Sequence, residues 1–122
     1  MSKPLTKLAT LFLMLFLAGC GGTSKVTLKN LSSERISNVK IYASENLIWQ
    51  GDLGAGKSVS ASFNVDKDGA LRMTGNSDLK KFDTDYLGYT TPNGGTYHTI
   101  IYKGQGKISY DYSTKHIGSG SR

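Results

Sequence analysis

The chain has 122 residues, a formal net charge of +6 and a single cysteine. A chain of this length accommodates one domain, which excludes (β/α)₈ barrels and two-lobed enzymes. One cysteine excludes an intramolecular disulfide, a zinc site of paired cysteines and an iron–sulfur cluster. That cysteine is Cys20, which lies two residues after the only long apolar run of the chain.

The amino terminus has the composition of an export signal. Residues 1–7 carry two lysines and no acid, and residues 8–18 form a run of eleven in which Thr10 is the one polar residue. A membrane-spanning helix needs about 20 apolar residues, whereas the apolar core of a signal peptide needs about 7–15. The small residues Ala18 and Gly19 follow, as signal peptidases require. Residues 1–19 are therefore predicted to be a signal peptide.

The residues around the cysteine, Leu17-Ala18-Gly19-Cys20, resemble the lipobox of bacterial lipoproteins. The resemblance implies that Cys20 receives a covalent diacylglyceryl lipid, that the chain is cut before Cys20, and that the new amino terminus is acylated, for example with palmitate. Residues 20–24 would be the lipidated cysteine and a short linker. The alternatives are an ordinary signal peptide with an unused cysteine and a membrane anchor helix.

The same resemblance implies a compartment. An Asp directly after the lipidated cysteine tends to retain lipoproteins in the inner membrane, and here that position is Gly21. The predicted location is the periplasmic side of the outer membrane, or the outer leaflet of the inner membrane in a host that lacks an outer one. Loss of two lysines with the signal peptide lowers the net charge from +6 to +4. We expect a membrane contact through the anchor and no nucleic-acid partner.

Residues 25–117 are predicted to form one all-β domain, since apolar and polar residues alternate with a period of two. Val26 and Leu28 share a face over residues 25–28, and Val39 and Ile41 share one over residues 36–43. A turn at residues 45–46 leads to a short apolar strand over residues 47–50, which contains Trp49. Residues 51–56 are predicted to be a loop.

The clearest alternation covers residues 57–65, where Val59, Ala61, Phe63 and Val65 occupy one face and polar residues the other. This pattern is typical of a strand with one buried and one solvated face. The sequence Asp-Lys-Asp-Gly at residues 66–69 predicts a hairpin loop. The partner strand would cover residues 70–74.

The carboxyl-terminal half continues the pattern. Strands are predicted over residues 86–90, 96–103 and 107–112, with turns at 91–95 and 104–106 and a flexible tail at 118–122. Large side chains on both faces of residues 96–103 predict a central strand. About seven to eight short strands in one domain favour a small antiparallel β-sandwich, with a small β-barrel as the alternative.

No catalytic or metal-binding set stands out. His98 and His116 have no metal-ligand spacing, and His98 is expected to be structural or edge-facing. Asp66 and Asp68 fit a turn, and Asp83 and Asp85 fit a solvated loop. Residues 51–58 match the spelling of a phosphate-binding P-loop, but a strand is predicted after them where a P-loop needs a helix. We expect no catalytic residue, metal, nucleotide or cofactor other than the lipid on Cys20.

Tyrosine is concentrated in the last part of the chain. Because Tyr is rigid and amphipathic, several rings on neighbouring strands would suit the binding of a protein or a glycan. The alternative is that these tyrosines form strands and cap the rim of the core. The predicted binding surface consists of Tyr86, Tyr89, Tyr97, Tyr102, Tyr110 and Tyr112.

These features predict a membrane-anchored periplasmic lipoprotein, a non-enzymatic binding or scaffolding module of the bacterial envelope with an envelope protein or glycan as partner. The alternative function is an inhibitor or immunity lipoprotein that acts against a cell-wall-degrading enzyme or a toxin. The chain lacks the paired cysteines of lysozyme-inhibitor lipoproteins, which counts against that particular family.

Overall fold

The structure is a computed structural model that describes residues 23–114. The predicted signal peptide, the lipidation site Cys20 and the predicted tail at 118–122 lie outside the described residues. The described segment forms nine strands: β1 (Ser24–Asn30), β2 (Ile36–Ala43), β3 (Asn46–Leu53), β4 (Ser58–Phe63), β5 (Gly69–Asn76), β6 (Lys81–Asp83), β7 (Tyr89–Thr90), β8 (Thr96–Gly104) and β9 (Lys107–Thr114). Across residues 23–114 there is no helix with the length and apolar character needed to span a membrane.

The strands form two sheets packed face to face. Sheet 1 has the order β4-β1-β8-β9, and sheet 2 has the order β3-β2-β5-β6. Strands β6 and β7 both pair with the same edge of β5, β6 near its carboxyl end and β7 near its amino end. All pairs are antiparallel except β1 and β8, which run parallel. The predicted β-sandwich is confirmed, and the two separate sheets in the described segment exclude the closed barrel.

The core lies between the two sheets and follows the alternation of the sequence. On β1, Val26 and Leu28 point inward while the lysines beside them are exposed. On β5, Leu71 and Met73 are fully buried. Because each strand has a period of two, its other face remains in contact with solvent. The sandwich therefore presents two outer faces, one for each sheet.

Two tight turns have the backbone that right-twisted hairpins favour. Ser44 and Glu45 join β2 to β3 with φ of 49° and 71°, and Gln105 and Gly106 join β8 to β9 with φ of 55° and 76°. Positive φ at both central residues is the type I′ geometry. Both turns were predicted, the second from its glycines at residues 104–106 and the first at residues 45–46, one residue after the position where the structure has it.

Several local predictions are wrong. Residues 66–69 do not close a hairpin, because β4 belongs to sheet 1 and β5 to sheet 2. Residues 51–53 extend β3 rather than beginning a loop, and the strand predicted over 86–90 is reduced to Tyr89–Thr90. Strand β6 was missed. Its three residues hold one buried side chain, Phe82, between two exposed charged residues.

The P-loop-like segment is part of the sandwich. Its first residues complete β3, and Ser58 begins β4, so a strand follows the Gly-Lys-Ser sequence as expected. The φ of Gly56 is +76°, which the turn before β4 requires. In this protein Gly54 and Gly56 belong to the turn that connects β3 to β4.

Candidate binding surface

The structure distributes the six predicted tyrosines over different parts of the domain. Tyr102 is fully buried in the core. Its hydroxyl donates to Glu34 Oε1 at 2.8 Å and accepts the Gly106 N–H at 3.1 Å. Tyr102 therefore holds the turn after β8 against the loop after β1, and it presents no surface to a partner.

Tyr110 is also turned toward the core. Its hydroxyl lies 2.7 Å from Nδ1 of the buried His98. Burial raises the pKa of Tyr110 to about 12 and lowers the pKa of His98 to about 4. Both groups are thus neutral around pH 7, and their contact is a structural one.

Tyr97 and Tyr112 lie on opposite faces of sheet 1. Their strands are in register with His98 opposite Tyr112 and Tyr97 opposite Ser113. The Tyr112 ring packs 5.5 Å from the His98 ring at the β9 edge, whereas Tyr97 is exposed on the outer face. The tyrosines of β8 and β9 therefore do not form one continuous aromatic surface.

Tyr86 and Tyr89 project from the segment that runs along β5 in sheet 2. Tyr89 donates a hydrogen bond of 2.7 Å to Asp68 Oδ2, which raises the pKa of Tyr89. Tyr86 is the most exposed tyrosine of the described segment, at 69%. Its ring borders a hollow of about 260 Å³ on the outer side of sheet 2.

This hollow, which we call the aromatic hollow, is lined by Tyr42, Glu45, Ala70, Arg72 and Tyr86. Tyr42 and Arg72 are paired residues of β2 and β5, so their side chains rise from the same face of the sheet. Ala70 contributes only a methyl group, which leaves space between the larger side chains. The result is an open depression with two tyrosines, one acid and one guanidinium.

Arg72 is held in place by a carboxylate. Its Nε donates to Asp83 Oδ1 at 3.0 Å and its Nη2 donates to Asp83 Oδ2 at 2.6 Å. The Arg72 hydrogen bonds and then the Asp85 N–H lower the pKa of Asp83 to about 2, and the pair raises the pKa of Arg72. This two-bond arrangement fixes the plane of the guanidinium.

A second depression lies beside the aromatic hollow on the same sheet face. This polar groove has a volume of about 420 Å³ and shares Tyr42 with the hollow. Among the described residues, the lysines of the groove form no ion pair. Its polar lining comes from alternating positions of β2, β5 and β6, namely Asn38, Lys40, Thr74, Asn76, Lys81 and Asp83.

The hollow and the groove lie side by side on the outer face of sheet 2 and share Tyr42, and we refer to the two together as the trough. It offers amide, hydroxyl and cationic groups along the sheet face, with the exposed Tyr86 at one end and the half-buried Tyr42 between the two depressions. No set of three or more His, Cys, Asp or Glu side chains within residues 23–114 is arranged to hold a metal ion. The chemistry available there is recognition by hydrogen bonds and ring contacts.

Most of the trough was not singled out in the sequence. Neither Tyr42 nor Arg72 was linked to a site. Tyr42 and Arg72 are 30 residues apart in the chain and meet only through the β2–β5 pairing. The one feature of the sequence that could have indicated this site is Tyr42, a tyrosine at an outward position of a strand with alternating polarity.

Comparison with known proteins supports the fold alone. No protein-family model matches the chain, and no curated protein matches it. Among solved structures, the chain is similar to a protein from Eubacterium rectale determined by NMR, with 17% sequence identity and a TM-score of 0.50. The match covers 81% of this chain and 96% of that one. At this level of identity, the similarity concerns the fold alone.

Proposed function

We propose that this protein is a lipid-anchored, non-enzymatic binding module of the bacterial cell envelope. In this proposal Cys20 carries the lipid, the domain lies on the periplasmic side of the outer membrane, and the trough holds a glycan of the envelope. The observation that carries the glycan assignment is the lining of the trough, where two tyrosines stand beside a fixed guanidinium and a row of amide and hydroxyl side chains.

The chemistry of this lining suits a sugar chain. A sugar ring has apolar C–H faces and a rim of hydroxyls. Tyr rings supply contact area at low cost in conformational entropy, while Asn, Thr and Arg supply donors and acceptors for hydroxyls. The guanidinium of Arg72 is already oriented by Asp83, so less freedom is lost when it donates to a ligand.

The lining favours a glycan over a protein. Protein interfaces usually have a desolvated apolar or aromatic centre surrounded by a polar rim. In the trough, the groove is lined mainly by polar side chains, among them Lys40 and Lys81, while Tyr42 lies where the groove meets the hollow and Tyr86 lies beyond it. An open channel of this shape and polarity fits an extended hydrophilic chain.

Binding is tested with the lipidated protein in detergent and isolated peptidoglycan sacculi, measured by co-sedimentation. Tyr86→Ala and Arg72→Gln should each weaken binding by about tenfold, as loss of an anchoring contact does. Tyr97→Ala is the matched control because Tyr97 is an exposed tyrosine on the other sheet. Equal sedimentation of all variants, or none by the wild type, would rule out the glycan site.

The anchor is tested separately by Cys20→Ala. The variant should lose the lipid and leave the membrane fraction, because the acyl chains contribute about 0.8 kcal/mol for each buried CH₂. Mass spectrometry of the amino-terminal peptide reports the modification directly. A Cys20→Ala protein that still fractionates with membranes through an uncleaved leader would point to the alternative of an anchor helix.

A further inference from the structure

The outer face of sheet 1 is largely polar and is built from all four of its strands. In its central row Ser60, Thr27, Thr99 and Asp111 are cross-strand neighbours on β4, β1, β8 and β9. The hydroxyls of Thr27 and Ser60 are 2.8 Å apart. This surface is the opposite side of the sandwich from the trough.

The charges of this face are unbalanced. Lys25, Lys29, Lys103 and Lys107 are exposed at outward positions of its strands, and Asp111 is the one acid at an outward strand position of the described sheet. The described ion pairs, Arg35 with Asp52 and Arg72 with Asp83, both belong to the other side of the sandwich. We call this surface the basic face.

The basic face contains the strand that follows the anchor. Ser24 begins β1 and is four residues after Cys20. Four residues of extended chain reach at most about 14 Å. A domain attached through Cys20 is therefore held close to the lipid headgroups, where surface charge acts on it.

We propose that the basic face lies against the anionic headgroups of the membrane and that the trough consequently points away from it. The inference rests on the proposed lipid anchor and adds an orientation to it. Anionic leaflets attract exposed lysines near the surface, and each such lysine favours the bound orientation by about fivefold. The occupant of the basic face is thus a lipid surface.

The positions of the lysines favour an orientation in which sheet 1 is parallel to the membrane over one in which only the amino-terminal end of β1 contacts it. Lys25 is at the anchor end, and Lys29 is about 13 Å further along the strand, at about 3.3 Å for each residue. Lys103 and Lys107 lie near the same far end. The Debye length is about 8 Å at physiological ionic strength. Lys29, Lys103 and Lys107 are therefore attracted to the headgroups only when the sheet is parallel to the membrane surface.

Two further side chains suit this orientation. Tyr97 and Ile101 alternate with Thr99 on the outer face of β8, between the lysines at the two ends. Tyr is enriched at membrane–water interfaces, where its ring contacts the acyl boundary and its hydroxyl stays hydrated. Tyr97 was predicted to contact a protein or a glycan, and in this proposal it contacts the membrane instead.

Orientation is measured on the lipidated protein inserted into vesicles. A fluorophore is attached to Thr99→Cys on the basic face or to Thr74→Cys in sheet 2, and quenching by headgroup-labelled lipid is recorded. In vesicles of phosphatidylethanolamine and phosphatidylglycerol, the label at 99 should be quenched more strongly than the label at 74. In phosphatidylcholine vesicles the difference should largely disappear.

A charge-reversal pair provides the control. Lys29→Glu with Lys103→Glu should abolish the preference in anionic vesicles, whereas Lys67→Glu with Lys80→Glu changes the net charge equally and should preserve it. Equal quenching at both labels on anchored protein overturns the orientation alone. Failure to insert into any vesicle overturns the anchor as well. Loss of sacculus binding only in the Lys29 and Lys103 variant would assign the face to a wall polymer and also overturn the proposal.

Discussion

The imidazole of His98 and the hydroxyl of Tyr110 share a 2.7 Å hydrogen bond on the inner face of sheet 1. On the other side of the ring, Nε2 lies 2.9 Å from Thr96 Oγ1, which lies 2.8 Å from Ser24 Oγ. Four polar side chains thus form one connected row from β1 to β9. Because buried polar groups are costly without partners, this row fixes the relative positions of the three strands that carry it.

The first prediction concerns acid. Burial lowers the pKa of His98 from 6.5 to about 4, so the unfolded chain binds more protons than the folded protein between these values. The free energy of unfolding should therefore fall as pH drops through this window, by about 2 kcal/mol between pH 7 and pH 5. Urea unfolding followed by the fluorescence of Trp49 measures the change.

The control for this prediction is His98→Gln, which retains hydrogen-bonding capacity and removes the titrating group. The groups that contact the ring are hydroxyls and aromatic rings, from Thr96, Tyr110, Tyr112 and Phe63. The variant should consequently lose most of the dependence between pH 7 and pH 5. An unchanged dependence would assign the acid sensitivity to other groups.

The second prediction concerns the contact between Gly88 and Tyr110. A Cβ at position 88 would lie 1.8 Å from the Tyr110 hydroxyl oxygen and 2.3 Å from Cζ. Gly88→Ala should therefore destabilise the domain by about 1–3 kcal/mol through overpacking. Gly54→Ala is the matched control, since its added Cβ would lie 3.7 Å from Lys57 Cγ.

A double-mutant cycle separates this contact from a backbone effect. In a Tyr110→Ala background the space beside position 88 is open, so Gly88→Ala should cost much less than it does in the wild type. Thermal unfolding of the four proteins gives the coupling. An equal cost in both backgrounds would contradict the proposed contact.

The third prediction concerns Asn30, which is fully buried at the end of β1. Its Nδ2 donates to the carbonyls of Glu34, Leu53 and Gly54, and its Oδ1 accepts from Ser32. Asn30→Ala removes these buried hydrogen bonds and should cost about 2–4 kcal/mol. Asn93→Ala, in an exposed turn, should stay within about 0.5 kcal/mol in the same urea titration.

The fourth prediction separates stability from binding in the trough. Asp83→Asn removes the carboxylate that fixes Arg72, and exposed pairs of this kind contribute little to stability. The midpoint of unfolding should therefore shift only slightly, while sacculus binding weakens because the guanidinium loses its orientation. A large loss of stability without loss of binding would show that the pair serves the fold.

The alternation of β1, β2, β4 and β5 was sufficient to predict a sandwich, since each strand has one clearly apolar face. It was insufficient on β8, because the pattern does not show which of two alternating sets points inward. One set is Tyr97, Thr99 and Ile101, and the other is His98, Ile100 and Tyr102. Both sets contain large side chains, and only the pairing with β1 and β9 decides between them. For this reason Tyr102 was predicted to be at a surface, although it is buried.

The edge of sheet 2 shows a second limit. Its strand is divided into β6 and β7, and the residues between them bond irregularly to β5 through Leu71 and Met73. A three-residue strand with one buried side chain, Phe82, has no recognisable period. The trough is formed by this edge and by the register between β2 and β5. The sequence could therefore indicate that Tyr86 is exposed, but it could not show which residues lie next to Tyr86 in the folded domain.

The central claim is that the trough binds an envelope glycan, and chemical-shift mapping tests it most directly. Soluble peptidoglycan fragments are titrated into the isotopically labelled, lipidated protein in micelles, and backbone amide shifts are followed by NMR. We predict saturable changes around Tyr42, Arg72 and Tyr86, with little change at Tyr97 and Tyr112. Changes confined to sheet 1, or no saturable change at any residue, would contradict the account.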